Sequence, residues 1–342
     1  MPPFRRRQRS APLEATPPVA LPPDPEAELE AAEALASECL GGREESWLDA
    51  QPTIDAETAA WAALGALELG RLPQVRRVLE RLLQAQRADG SLPVTLRSGR
   101  HPMGKLVNWL KRVPRPSFPG KPSFSRDAIQ GARAHALVTW ACAEFTLRTG
   151  DAELAQRWRK PLEAAIDWIE RHARLNPPDV GLEALYHQAQ IALGHLSIAS
   201  GDAVAGARRW AAAAAAKERI QDAERTAGTS IEDLLLVALV SACDARTRDE
   251  ALSRGDLHQH GGVMAWVAAQ AGLLAEAETL LRRCAQTALA HGGFQGPAGA
   301  AQFLRGLSAW KRLAESCRHT VTRPRHRQWQ LSEDDLRILS VC

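Results

Sequence analysis

Residues 127–174 read DAIQGARAHALVTWACAEFTLRTGDAELAQRWRKPLEAAIDWIERHAR, and residues 180–225 read VGLEALYHQAQIALGHLSIASGDAVAGARRWAAAAAAKERIQDAER. Each stretch holds two long runs of helical character divided by a chemically similar junction, Thr149-Gly150-Asp151 in one and Ser200-Gly201-Asp202 in the other. In such a junction the glycine supplies the left-handed residue that ends the first helix, and the aspartate caps the second. Each stretch is therefore a helical hairpin. A repeating helix pair buries its apolar face only against neighbouring pairs, so more hairpins should flank these two.

They do. On the N-terminal side, helices are expected over Ala27–Leu40, stopping at Gly41-Gly42, over Ile54–Leu69 with Thr53 or Asp55 at its start, and from Pro73 to about Ala88-Asp89-Gly90. On the C-terminal side they are expected over Ser230–Ala245, Val263–Gly272, Leu274–Ala290 and Pro297–Cys317. Almost no segment alternates with period two, so the chain reads as all-α. Candidate inner helices start near residues 55, 127, 180, 230, 261 and 297. Most precede a second helix that can sit outside, and the helix at 27–40 can supply the outer partner missing after the last. Arg246–Arg254 is short for an outer helix and is the weak point of the pattern. A closed ring of about six hairpins, an α/α toroid, is the simplest arrangement. An open solenoid would show a more regular repeat.

The 342 residues are 45% hydrophobic and 24% charged, the composition of an ordinary globular chain. No apolar run reaches the roughly 18 residues of a membrane span. No apolar stretch follows Met1-Pro2-Pro3-Phe4-Arg5-Arg6-Arg7, so a secretory signal is not expected and the cytoplasm is the expected compartment. Six cysteines lie far apart with no CxxC pair. Three divisions follow: a disordered Pro/Arg-rich leader at 1–25, one toroid domain over 26–317, and a basic tail at 318–342. The net charge of +3 conceals an uneven distribution. Residues 93–126 carry Arg97, Arg100, Lys105, Lys111, Arg112, Arg115, Lys121 and Arg126 with no acid, or +8. With +2 on residues 1–24 and +2 on 318–342, the rest of the body is left at −9. A local field of this kind attracts anions, although a solvated loop paired with acidic helices is an equal reading. Six prolines in this segment leave room for only a short helix near Gly104–Arg112.

Glu57-Thr58-Ala59-Ala60-Trp61, followed by Leu82-Leu83-Gln84-Ala85-Gln86-Arg87-Ala88-Asp89-Gly90-Ser91-Leu92-Pro93, resembles the hairpin repeat of α/α-toroid proteins. That group includes six-hairpin glycosidases and the terpenoid-cyclase or prenyltransferase-like proteins of bacterial polysaccharide clusters. Asp127-Ala128-Ile129-Gln130 leading to Arg148-Thr149-Gly150-Asp151 is similar to their next hairpin. Gly292-Gly293-Phe294-Gln295-Gly296, Ala301-Gln302 and Gly306-Leu307 look like their closing repeat. The resemblance covers about residues 45–317. It rests on turns and packing positions, so it speaks to fold more than to chemistry. The chain lacks the DDxxD and DxDD motifs of terpenoid enzymes and the cysteine–histidine zinc pattern of lanthionine cyclases. Glycine-rich phosphate loops and the GxSxG nucleophile elbow are also missing.

In such a ring the inner helices run roughly parallel, and their N-terminal ends meet at one mouth. Polar residues gather at those ends: Asp55 and Glu57; Arg126, Asp127, Gln130 and Arg133; Glu183, Tyr186 and His187; Glu232 and Asp233; Asp256, His258 and His260; Gln295 and Gln302. Glycoside hydrolysis needs one protonated and one ionised carboxyl group. Asp55, Glu57, Asp127 and Glu183 are the acidic candidates, each weighed against a helix-capping role. Glu183 and His187, four apart on one helix face, can form an acid–base pair or a plain hydrogen-bonded pair. His258 and His260 would converge on one ion if the segment were extended, with Asp256 as a third ligand. Nothing in the sequence fixes a fourth ligand, so no metal or cofactor is assigned.

Most tryptophans on the helices, Trp61, Trp140, Trp158, Trp168, Trp210, Trp266 and Trp310 among them, are expected in the core. Trp47 and Trp109 are expected in loops, Trp109 among the cations. Aromatics interleaved with cations suit a sugar bearing acidic groups, with Arg97 and Arg100 as further contacts. They also suit an anionic membrane surface touched peripherally, or a nucleic acid, the less favoured partner. The function expected is the binding or processing of an anionic bacterial polysaccharide or its intermediate, by hydrolysis or elimination if catalytic. The alternatives are a non-catalytic helical scaffold and a terpenoid-cyclase or prenyltransferase-like protein without the usual aspartates.

Overall fold

The computed structural model describes residues 25–41, 53–97, 128–173, 179–224, 230–239 and 245–322. Trp47, Arg100, Trp109, Arg126, Asp127, the leader and nearly all of the basic segment and the C-terminal tail lie outside them. Within them are twelve helices and two short strands, in the order α1 (Pro25–Cys39), β1 (Thr53–Asp55), α2 (Ala56–Glu68), α3 (Leu72–Gln84), β2 (Thr95–Arg97), α4 (Ala128–Thr149), α5 (Ala152–His172), α6 (Val180–Ala199), α7 (Ala203–Glu224), α8 (Ile231–Leu239), α9 (Ala245–Arg254), α10 (Leu257–Gln270), α11 (Leu274–Ala290) and α12 (Gly296–Thr322).

The even-numbered helices are the inner ones. They pack in the order α2–α4–α6–α8–α10–α12, and α12 packs back on α2, so the contacts close into a cycle. Each of the first five is followed by an outer helix packed against it, and α1 lies on α11 and α12 as the sixth outer partner. Composition explains this division. Along α2 every residue from Ala59 to Leu67 is buried, as a helix enclosed on all sides requires. Its outer partner α3 buries Val75, Val78, Leu79 and Leu82 on one stripe, and α5 buries Leu154, Trp158, Leu162, Ile166 and Ile169 in the same way.

The junctions form as the glycines dictate. Gly150 and Gly201 take φ of 64° and 85°, and Gly70 and Gly272 end α2 and α10 similarly. Asp151 and Asp202 then accept the Leu154 and Ala205 amides at 2.9 Å each, capping α5 and α7. The turn after α3 is tied down at several points. Asp89 accepts from both the amide and the hydroxyl of Ser91, and Gln86 donates to the carbonyls of Gly90 and Pro161. His135 of α4 accepts the Leu92 amide at Nε2, 2.7 Å away, and donates from Nδ1 to Gly131. Its ring stacks on Trp168 at 4.4 Å.

The middle of the ring is filled. Trp61, Trp140 and Trp266, from α2, α4 and α10, meet with ring centroids 5.8–6.4 Å apart. Against them lies the guanidinium of Arg305 from α12, 4.5 Å from the Trp266 ring. Arg305 donates to Glu68 at 2.7 Å and to both oxygens of Glu144, and Arg148 also bridges these two carboxylates. Burial opposes the Glu68 charge, but hydrogen bonds from Arg148 and Ser308 and the field of Arg305 hold its pKa below the usual range. Helices α2, α10 and α12 approach through small residues. A Cβ on Gly65 would fall 2.5 Å from Ala301 Cα, and one on Gly262 would fall 2.5 Å from the Phe303 nitrogen.

Three expectations need correction. Ile54 and Asp55 belong to β1, which pairs antiparallel with β2, rather than to the helix. The segment holding His258 and His260 is helical from Leu257, so the two positions sit about 200° apart around the axis and do not converge on one ion. Among the described residues no group of three His, Cys, Asp or Glu could hold a metal. Trp210 is 40% exposed on α7 because Gly194 of α6 faces it and lets the helices approach closely, which leaves its ring at the edge of the contact. Among the described residues no helix is long and apolar enough to cross a membrane.

Two outcomes follow. Gly262→Ala should lower stability by about 1–3 kcal/mol through overpacking, read as a shift in urea midpoint. Gly299→Ala, whose added Cβ would meet its nearest neighbours at 3.9–4.0 Å, should leave the midpoint unchanged. Burial drives the His135 pKa down to about 4, so the folded chain excludes a proton that the unfolded chain takes up. That stability is present above pH about 6.5 and is lost as pH falls toward 4, by up to about 3 kcal/mol. Imidazole NMR should find His135 neutral at pH about 5.5; a cationic ring there would contradict the burial account.

Candidate functional site

The N-terminal ends of the inner helices open into a cavity of about 470 Å³, within the ~300–1,000 Å³ usual for small-molecule sites. Trp61 lies in its wall one turn inside α2, on the side of the tryptophan cluster. Five of the six inner helices contribute. Asp55, Glu57 and Thr58 come from the start of α2, Arg133 from α4, Glu232 from α8, Gln259 and His260 from α10, and Gln295 and Gln302 from the start of α12. Leu235, Leu236 and Val263 supply the apolar wall.

The acids in this mouth have different duties. Asp55 accepts the Thr58 amide at 2.6 Å and caps α2. Asp179 caps α6 through the Leu182 amide, and Ser230 with Asp233 forms a reciprocal cap at the start of α8. Arg133 crosses between Asp179 at 3.0 Å and Asp233 at 2.5 Å, tying α4, α6 and α8 together. Gly181 makes room for this bridge, since a Cβ there would overlap the Asp233 carboxylate. Glu57 caps nothing. Burial raises its pKa; Arg133 opposes the shift, while Asp55 and Glu232 add to it. The result is a carboxyl group whose pKa stands above that of an ordinary glutamate, beside two other carboxylates. Glu232, with a 72% exposed side chain, stands 3.9 Å from Nε2 of His260, and Nδ1 of His260 is buried without a partner among the described residues.

Of the predicted site residues, the structure brings Asp55, Glu57, Arg133 and Gln302 to one cavity. Arg97 lies on β2, its backbone opposite Thr53 in the strand pair that leads into Asp55. Gln130 is exposed at the start of α4 and does not line the cavity. Glu183, Tyr186 and His187 are elsewhere. Glu183 is held by both arms of Arg219 on α7, at 3.1 and 2.7 Å. Tyr186 donates to Glu170 of α5 at 2.5 Å, and His187 donates from Nδ1 to the Ala213 carbonyl of α7. These three fasten α6 to its outer neighbours, and Glu183 with His187 is not an acid–base pair. His258 is on α10, and its side chain is outside the description.

The sequence places Glu232 and Gln295 at the mouth without a role, His260 there only as a candidate metal ligand, and Trp61 in the core. The signal that distinguishes Glu232 is spatial: it faces Glu57 across the ring from a helix about 175 residues further along the chain.

No family model matches the chain. No curated protein matches it either. Among solved structures, a glycosidase variant in complex with glucose superposes with a TM-score of 0.54 over 85% of this chain and 96% of that one, at 15% sequence identity. The chain therefore has the fold of that glycosidase, an all-helical one as the hairpin reading required. At this identity the likeness concerns the fold alone.

A stability measurement tests the state of Glu57. With its folded-state pKa raised, the folded chain holds a proton that the unfolded chain releases, so stability falls as pH rises through that interval. Glu57→Gln keeps the shape and removes the effect. The variant should resist urea better than the parent at pH about 8 and equal it at pH about 4. Equal stability of the two proteins at both pH values would contradict a desolvated Glu57.

Proposed function

We propose that the protein binds a carbohydrate in the mouth cavity and hydrolyses it, with Glu57 as the proton donor. The observation that carries this reading is Glu57 itself, a desolvated carboxyl group that caps no helix and lines a cavity with two further carboxylates. Glycoside hydrolysis needs such a pair: one acid that keeps its proton for the leaving oxygen, and one ionised group for water or for the anomeric carbon. Glu232 is our choice for the second role. Its side chain is 72% exposed, 3.9 Å from His260 Nε2, and caps no helix among the described residues, whereas one oxygen of Asp55 is committed to the α2 cap. Trp61 offers an aromatic face, and the amides of Gln259, Gln295 and Gln302 suit sugar hydroxyls. The glycosidase of the same fold, solved with glucose, adds support from outside the site.

An anionic glycan is the substrate class we favour, on the charge of residues 93–126. The described residues that flank it lie close in the chain to the mouth: Arg97 is on the strand paired with β1, which leads into Asp55, and α4, which carries Arg133, begins at Ala128. Arg133 is the cation already in the cavity wall. The resemblance to proteins of bacterial polysaccharide clusters agrees with this choice.

The test is hydrolysis of a panel of acidic and neutral oligosaccharides. Salt-sensitive cleavage of an acidic member is expected, with kcat falling at least about 10²-fold in Glu57→Gln and in Glu232→Gln while binding persists. The rate should decline on the alkaline side as Glu57 loses its proton. Changing Arg97, Arg100, Lys105, Lys111, Arg112 and Arg115 to Ser should raise KM more than it lowers kcat. Binding without cleavage would leave a carbohydrate-recognition protein. Neither binding nor cleavage of any glycan would reject the reading in favour of a scaffold.

A further inference from the structure

We propose that the outward face of α7 is the interface of a two-fold dimer, occupied by α7 of a second copy of this chain. Every other outer helix leans on at least two neighbours, whereas among the described residues α7 packs chiefly on α6, with Ile220 also clustering with Val237 of α8. What α7 turns outward is not the charged surface of an ordinary outer helix. Ala203, Ala207, Ala211 and Ala214 follow one another along the exposed side at helical spacing. Val204, 65% exposed, and Trp210 flank them, and Ile198 from the end of α6 extends the patch. Three of the six large apolar side chains exposed among the described residues therefore fall on this one surface, and such clustering marks an interaction site.

Charge selects the occupant. Among the described side chains of α7, the exposed charges are Arg208 in its first half and Glu218 and Asp222 in its second; Arg209 and Lys217 are half-buried, and Arg219 is held by Glu183. An antiparallel copy sets Arg208 of one helix beside the acids of the other, twice over, about a two-fold axis near the alanine run. A parallel copy would set like against like. The alanines allow close approach of the backbones, and opposed helix dipoles favour the same orientation. This self-complementarity is what an isologous interface requires. A single helix about 33 Å long offers less than the roughly 800 Å² per partner of a standard interface, so the dimer should be reversible, with a micromolar dissociation constant.

Analytical ultracentrifugation of the full chain is the test. A concentration-dependent monomer–dimer equilibrium is expected, and Ala207→Glu with Ala214→Glu should abolish it without altering the helical circular dichroism or the melting profile. Arg208→Glu should weaken the dimer about tenfold or more, Glu218→Arg likewise, and the two together should restore it. A chain that remains monomeric up to about 200 µM, or a dimer indifferent to these substitutions, would overturn the proposal.

Discussion

The ring depends on one buried cation. Arg305 reaches from α12 to the carboxylates that end α2 and lie near the end of α4, and it stacks on the tryptophans that α4 and α10 send to the middle. The exposure of its side chain is 7% and that of Glu68 is 6%, so neither charge is stable without the other. Removing the guanidinium would leave Arg148 as the remaining close cation on both Glu68 and Glu144 and would uncover the tryptophan faces, a large loss for a partly buried ion network. The closing helix is thereby locked to the opening one. The same cluster, with Trp61, Trp140 and Trp266, fills the end of the ring where the inner helices finish. Among the described residues the cavity lies where they begin, lined by Asp55, Glu57, Arg133 and Glu232.

That end of an inner helix is a chemically loaded place. Unpaired amides and the positive end of the helix dipole gather there, and acids collect to satisfy them. Asp55, Asp179 and Ser230 do that work, and Arg133 balances the charge of Asp179 and Asp233 at the starts of α6 and α8. An acid in the same neighbourhood with no amide to cap has a different meaning. Burial and the neighbouring carboxylates Asp55 and Glu232 raise the pKa of Glu57 against the opposing field of Arg133, an environment that costs stability. Structure and reactivity thus separate among neighbouring carboxylates according to whether a backbone amide claims them.

Much of the fold was legible in advance because its junctions are written in residue types with narrow conformational meaning. Gly150 and Gly201 before Asp151 and Asp202 announced two hairpins, and the ends of α4, α5, α6 and α7 fall within a residue or two of the expected positions. The weak fourth pair proved to be a nine-residue helix with a ten-residue partner, α8 and α9. The strand pair was not legible, since three residues are too few to show a period. The site was legible in part. First-turn acids mark the mouth, but whether an acid caps, pairs or stays free depends on side chains from distant helices. Glu183 illustrates the point: its partner Arg219 lies 36 residues away on α7 and turns it from the ring. Glu57 and Glu232 come together only when α2 and α8 meet across the mouth.

The central claim is that a sugar occupies the mouth of this ring, over Trp61 and between Glu57 and Glu232. A crystal structure of the protein soaked with an acidic oligosaccharide tests it most directly. The account predicts density for a sugar ring in that cavity, with its glycosidic oxygen within hydrogen-bond reach of the Glu57 carboxyl and its hydroxyls on Gln259, Gln295 or Gln302. A sugar bound on the outer helices, or a mouth that stays empty at saturating ligand, would contradict it.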